Sequence, residues 1–264
     1  MVKGLYTAYT GMINQQNRLD VITNNLANSA TTGYKKEGTT SQTFKDVLAY
    51  KIKDSSEYNI SRPLGTMSMG VKIGENYTDY GQGAFRVTDN DLDLALDGDG
   101  FFAISFTGKN GETSVKYTRD GSFTMNKDGY LVTKDGDFVL NQNGAMNSNA
   151  NSRIQLDPNA EVKIDASGNI YQNNQFVAQI GVADFPDYNY IEKYGENLYQ
   201  LAQGGTIQES TAFVNQGILE TSNVNVVSEM VEMIEISRAY ESNQKLIQTI
   251  DGTLDTAVNQ LGKV

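Results

Sequence analysis

The 264-residue chain contains no cysteine and no histidine. Without cysteine, neither a disulfide nor a thiolate metal site holds the fold, and the redox compartment is left open. Without histidine, the commonest general base and the usual zinc ligand are both missing, which closes most familiar enzyme chemistries. We therefore expect no enzyme, no cofactor and no metal centre. Basic residues are in deficit as well: 21 Lys and Arg stand against 32 Asp and Glu, a formal net charge of -11. That balance repels phosphate backbones and anionic lipid heads, so nucleic acid is not an expected partner. No apolar run approaches the length of a bilayer span, so direct membrane insertion is not expected either. The opening "MVKGLYTAYTGMINQQ" lacks the apolar core of a cleavable signal, so these residues are expected to persist and any export to use another route. The length suggests one large domain or two modest ones.

What the chain does have is a seven-residue period at both ends. Leu5, Met12, Leu19 and Leu26 recur at intervals of seven, with Ala8 and Ile22 at intermediate positions of the same seam. The stripe runs into "ANSATTGYK", where Asn28, Ser29 and Gly33 supply helix-stopping and turn chemistry, so the helix is expected to end near Asn28. At the other end Val226, Met233, Tyr240, Ile247, Leu254 and Leu261 also fall seven apart, flanked by Met230 and Val258 at the four-residue offset. Glu229 and Glu232 sit in the expected first turns, where the helix dipole favours negative charge. Glu241 precedes Lys245 in the favourable i, i+4 order.

Between the ends the texture changes. Residues Phe44 to Gly83 mix short apolar runs with Ser, Asn, Gly and the Arg62-Pro63 pair, and read as an extended connector with a few strands. From Phe85 the alternation has period two: Leu92, Leu94 and Leu96 against Asp91, Asp93 and Asp97, then "FFAISF". Turn dipeptides follow at short spacing, namely Asp120-Gly121, Asp128-Gly129, Asp135-Gly136 and Asn143-Gly144, then Ser167-Gly168 and Asn173-Asn174. Such pairs signal hairpins because both central residues must accept positive φ. The fold class expected is mainly β with α: a central antiparallel β-domain, without a regular helix of its own, flanked by N- and C-terminal heptad helices that pair as a coiled coil.

Three motifs imitate chemistry. "GDGFFA", from Gly98 to Ala103, has the spacing of a dinucleotide-binding turn, but a phosphate loop needs a helix at its end and "FFAISF" continues as a strand. Asp89, Asp91 and Asp93 invite a calcium reading, yet the sixth and twelfth places of an EF-hand loop are Leu94 and Gly100 instead of Gly and Glu. Ser242 to Lys245 match S-x-x-K without its companion elements, and lie within the long C-terminal helix as a solvated face.

Two properties of the ends point to partners beyond their own pairing. The C-terminal helix is apolar past a single seam, with Val227, Val231 and Ile234 on one side and Ile236, Ala239, Leu246 and Ile250 on the other, so it needs more than one neighbour. The N-terminal stripe carries Gly11, Asn14, Asn17, Thr23, Asn24 and Asn25, poor or middling helix formers, which favours ordering by neighbouring subunits. If one molecule bundled both ends completely, with no apolar strip to spare, this argument would fail.

Four stretches then carry a resemblance: "NNLANSATTGYK" (24–35), "LDLALDGDGFF" (92–102), "YTRDGSFTMNKDGYLVTKDG" (117–136) and "GILETSNVNVVSEMVEMIEISRAYESNQKLIQTID" (217–251). In these the chain resembles the flagellar basal-body rod proteins, in the axial family shared with the hook. The resemblance implies a structural subunit of the bacterial flagellum basal body, exported unprocessed through the flagellar type III apparatus. Its partners would be copies of itself and other rod and hook proteins. It implies a helical polymer, with the terminal segments pairing inside a tube and Asn28 and Gly33 turning the chain out of the helix. The assembly interface expected on that basis is Leu5, Met12, Leu19, Ile22, Leu26, Asn28, Gly33, Val226, Met230, Met233, Tyr240, Ile247, Leu254 and Leu261. The expected division is 1–33 N-terminal axial helix and signature loop, 34–84 connector, 85–216 β-domain and 217–264 C-terminal axial helix. Residues Phe44 to Gly74 do not separate proximal from distal rod, and the chain is short for a hook subunit. The rival from another class is a secreted carbohydrate-binding or hydrolytic β-protein, which requires a deep cleft with paired carboxylates. A soluble coiled-coil oligomer unrelated to flagella is a third reading.

Overall fold

The computed structural model describes residues 2–45, 47–50, 63–108, 110–195 and 197–261. Arg62 and the rest of 51–62, inside the expected connector, lie outside the described residues, as does the side chain of Leu261. The first helix, α1, runs Val2–Ala27. Four strands follow: β1 (Glu37–Thr43), β2 (Val47–Tyr50), β3 (Pro63–Met67) and β4 (Val71–Thr78). Next come β5 (Phe85–Val87), β6 (Leu94–Asp97), β7 (Phe101–Thr107), β8 (Thr113–Thr118), β9 (Phe123–Met125), β10 (Leu131–Thr133) and β11 (Phe138–Val139). After the short helix α2 (Gln142–Met146) come β12 (Val162–Ile164), β13 (Asn169–Gln172), β14 (Gln175–Gln179), β15 (Val182–Asp184), β16 (Ile191–Gly195), β17 (Leu198–Leu201) and β18 (Gln208–Glu209). The last strands are β19 (Phe213–Gln216) and β20 (Ile218–Glu220), and helix α3 (Val226–Thr256) follows them. The protein is mainly β, with one long helix at each end of a β-rich middle, and the two helices touch. Among the described residues no helix is long and apolar enough to cross a membrane.

The chain forms two compact units. The first gathers residues 1–27, 36–79 and 225–264; the second gathers 28–35 and 80–224. The backbone therefore passes between the units four times. In the first unit β1 and β4 form an antiparallel ribbon with a register shift between Thr39 and Ser41, and β2 pairs with β3. Part of the expected connector thus belongs with the helices.

In the second unit β7 is the organising strand. It pairs antiparallel with β8 and with β11 and β15. Its residues from Phe101 to Ser105 are all buried, as a strand covered on both faces must be. Side chains of a strand alternate between faces, so adjacent Phe101 and Phe102 enter different cores. Phe102 joins Leu94, Leu96, Phe123, Leu131 and Ile180. Phe101 joins Tyr117, Phe185 and Tyr199. Leu94 and Leu96 are buried and Asp97 is exposed, but Asp93 and Ala95 are buried too, so the Leu/Asp alternation does not divide a dry face from a wet one.

Several turn dipeptides sit at positive φ, at Gly129, Gly136, Gly168, Asn173 and Asn174. Two do not behave as expected. Asn143-Gly144 lies in α2, because Asn141 caps that helix by accepting from the Gly144 N–H at 2.8 Å. The β-rich middle therefore does contain a helix, contrary to expectation. Asp120-Gly121 joins β8 to β9, strands that do not pair with each other, and Gly121 instead lets the backbone come against the Leu94 carbonyl.

Candidate assembly interface

Within the first unit α1 and α3 run antiparallel. A Cβ on Gly4 would meet Ile250 at 3.7 Å, and one on Gly11 would meet Asn243 at 3.2 Å. Further along, Arg18 donates to Glu232 at 2.8 Å and Asn25 donates to Glu229 at 3.3 Å. Numbers rise along one helix as they fall along the other. The row of α3 that meets α1 is thus Glu229, Ile236, Asn243 and Ile250, itself a seven-residue repeat, set three residues after Val226, Met233, Tyr240 and Ile247. On α1 the matching row is Gly4, Gly11, Arg18 and Asn25, with Ala8 and Ile22 buried beside it. Small residues bring the helices close, and polar ones fix the register. Helix α3 starts at Asn225, whose side chain accepts from the Val227 and Ser228 N–H groups and so satisfies free donors of the first turn.

The poor helix formers of α1 have partners in their own chain. Asn14 donates to Ser41 on β1 at 3.0 Å. Asn25 clasps the Glu37 backbone, donating to its carbonyl at 2.8 Å and accepting from its N–H at 2.9 Å. Gly70, at φ +114°, lets the chain lie against Thr10. Propensity lost at these positions is offset by packing that only small or amide side chains permit. The need for neighbours inferred from these residues is thus met in part by the β1–β4 ribbon.

One charged cluster sits where helices and ribbon meet in the first unit. Glu229 is 1% exposed and forms an ion pair with Lys36 at 2.5 Å. That hydrogen bond, with the attraction of Glu229 and Glu232, outweighs burial and raises the Lys36 pKa above its usual value. Around the pair lies a polar cavity of about 90 Å³, lined also by Arg18, Asn25, Glu37 and Glu232. Glu229 therefore does more than complement a helix dipole.

The signature loop, 28–35, belongs to the second unit. Gly33 adopts φ +65°, and its N–H donates to the Glu220 carbonyl at 2.9 Å. A Cβ there would run into the Arg119 backbone, so only glycine fits. Thr32 donates to Asp120 at 2.7 Å, and Asn197 donates to the Thr32 carbonyl at 2.6 Å. Beneath the loop Lys35 and Glu220 pair at 2.7 Å, each about 1% exposed. Arg119 approaches the other Glu220 oxygen at 3.3 Å and donates to the Gly98 carbonyl at 2.8 Å. The Gly83 N–H also donates to Glu220, at 2.8 Å. Two cations and one anion are thus held in the interior by hydrogen bonds to backbone.

Of the residues expected at the interface, Ile22 is buried, and Leu5, Met12, Leu19, Leu26, Met233, Tyr240, Ile247 and Leu254 are half-buried beside the helix contact. Val226 and Met230 are exposed. Asn28 and Gly33 belong to the second unit. Sequence reasoning missed Lys35, Arg119 and Glu220, although all three lie inside quoted motifs, and missed that Glu229 is buried. A run of charged letters carries no sign of which one is desolvated.

Apolar surface remains on the first unit. Val227, Met230, Val231 and Ile234 form an exposed stripe on α3, and Tyr6, Tyr9 and Ile13 form another on α1. Beside Tyr6 lies a groove of about 420 Å³, lined by Phe44 and Met69 with Lys45 and Lys72. The second unit has an open cavity of about 530 Å³ beside Asn143, Phe176 and Gln179, whose lining supplies one carboxylate, Glu209. Glycoside hydrolysis needs a pair. Asp93, from the run that imitates a calcium loop, accepts from Thr88 at 2.8 Å and Asn90 at 3.0 Å.

Three family models match: a flagella basal body rod protein model over 5–35, a flagellar hook protein FlgE/F/G D1 domain over 95–172, and a flagellar basal body rod FlgEFG protein C-terminal model over 215–261. Among individual proteins, the flagellar basal-body rod protein FlgG of Bacillus subtilis is 36% identical over 275 residues, covering 98% of this chain and 99% of that protein. FlgF of Caulobacter vibrioides is 35% identical over 266 residues and 100% of both chains. FlgG of Buchnera aphidicola from Schizaphis graminum is 33% identical over 265 residues, 96% of this chain and 98% of its own. With matches of this extent at both helical ends and across the β-rich middle, the chain belongs to the flagellar basal-body rod protein family.

Proposed function

We propose that this protein is a structural, non-enzymatic subunit of the bacterial flagellar basal-body rod, polymerising through its terminal helices into a tubular shaft. Family membership supports the rod and the basal-body location. The observation that carries the polymer is the unused apolar stripe Val227, Met230, Val231 and Ile234 on a helix whose opposite side already meets α1. A subunit complete in itself has no need of that stripe. In this reading the paired ends act as a coiled coil that meets the same ends of neighbouring subunits, and Leu5, Met12, Leu19, Ile22, Leu26, Val226, Met230, Met233, Tyr240, Ile247, Leu254 and Leu261 take part. Asn28 and Gly33 redirect the chain out of the helix. The functional division is into axial ends at 1–33 and 217–264, a connector at 34–84 and a body at 85–216. Export through the flagellar type III apparatus and contact with other rod and hook proteins belong to the same proposal.

The test is deletion of residues 1–27 in the native organism. The second unit keeps all its residues, so its β-sheet signal by circular dichroism should survive while rod assembly and swimming are lost. A swimming strain carrying that deletion would refute the reading.

A further inference from the structure

We propose that the groove beside Tyr6 receives the first two turns of α3 from a second copy of this chain. The inference rests on the reading of a self-assembling subunit and specifies which surfaces of two copies meet. Val227, Met230, Val231 and Ile234 are spaced i, i+3, i+4 and i+7, so they form one ridge on α3, with exposures of 71%, 48%, 52% and 53%. The groove supplies a matching apolar floor in Tyr6, Phe44 and Met69. Charges match as well. Glu229 and Glu232 are taken by Lys36 and Arg18 of their own chain, which leaves the exposed Glu235 beside the ridge as the charge that meets Lys45 and Lys72 at the groove. Residues 2–19 of α1 contain no acid. An acidic, apolar helix face thus fits a basic, apolar groove.

The two surfaces cannot meet within one copy, because the antiparallel pairing of Gly11 with Asn243 and Asn25 with Glu229 sets them at opposite ends of the helix pair. Roughly 15 residues of helix separate them, or about 22 Å at 1.5 Å rise per residue. Groove and ridge are different surfaces, so the contact is heterologous: each copy that joins leaves a groove free at one end and a ridge at the other, and growth stays open. A single contact of this kind is small against the roughly 1,200 to 2,000 Å² of a stable interface, so free copies associate weakly and a polymer gains strength from several neighbours at once.

The absence of native cysteine makes a direct test possible. Full-length Thr43→Cys, at the groove, and Val231→Cys, on the ridge, are mixed at high concentration and oxidised mildly. A disulfide-linked dimer of one of each is expected, with far-UV circular dichroism unchanged in both. Adding Lys72→Glu to the groove variant should lower the yield by about tenfold, and adding Glu235→Lys to the ridge variant should restore it. No mixed dimer, a dominant Val231→Cys homodimer, or a yield indifferent to both charge changes overturns the proposal. If cross-linking fails while removal of residues 1–27 still abolishes swimming, this contact is lost and the rod-subunit reading stands.

Discussion

Lys35 and Lys36 are neighbours in the chain and serve different units, the first pairing with Glu220 and the second with Glu229. The Glu220 carboxylate pairs with both Lys35 and Arg119, so neutralising it takes an ionic partner from each of two buried cations. Glu220→Gln should cost about 3 to 5 kcal/mol, whereas Lys35→Met, which leaves Glu220 paired with Arg119, should cost less. Urea unfolding followed by the β-sheet signal measures both, and equal costs would show that the network does not act as a charge balance. Gly33 was legible in the sequence as a turn residue, and its φ of +65° explains why. The pairing of Lys35 with Glu220 was not legible, because 185 residues separate partners that no local period links.

At the scale of the element, α1 holds the clearest conflict between propensity and structure. Asn14 and Asn25 exchange helix propensity for hydrogen bonds to β1 that no apolar residue could make. Gly4 makes no such exchange. A methyl there meets Ile250 at 3.7 Å, an ordinary contact, so Gly4→Ala should raise the melting temperature of the helical signal through a gain of up to about 1 kcal/mol. A lowered melting temperature would show that α1 and α3 approach more closely than this register allows. The seven-residue periods made both helices readable, as did the Asn and Gly residues that end α1. The side that meets the partner was harder to read. Pattern matching follows the apolar row, and the closest row on α1 is Gly4, Gly11, Arg18 and Asn25, two glycines and two polar residues. Helix α2 was hidden for a related reason: Asn-Gly serves a hairpin or a helix start equally well, and Asn141 decides the matter as a cap.

The whole molecule should be sensitive to alkali in both units. Lys36 has a raised pKa, so its contribution is complete below the unfolded value near 10.4 and is lost as pH climbs through the folded value. Tyr117 and Tyr188 are raised as well, in each case first by burial, and at Tyr188 also by the Asp184 carboxylate that accepts from its hydroxyl at 2.9 Å. The unfolded tyrosines ionise first, near pH 10, so stability falls above that point. Thermal midpoints should be level from neutrality to about pH 9.5 and decline beyond about pH 10. Tyr188→Phe should make the decline shallower, and an unchanged slope would remove Tyr188 from the account. The β-rich middle between two terminal helices was readable from periodicity. The grouping of 28–35 with 80–224 was not, since it depends on how Gly33 and Thr32 find Glu220 and Asp120 in three dimensions.

The bond from Asn25 to Glu229 spans 204 positions, and that distance dictates an order of events. As the polypeptide emerges from a ribosome or any narrow conduit, its leading helix lacks its lasting companion until nearly the last segment is out. A nascent polypeptide stalled just before residue 225 should therefore yield a protease-resistant core from 80–224 while residues 2–27 are digested. Resistance of that leading segment in the stalled species would mean that it matures early and needs no late arrival to shelter it.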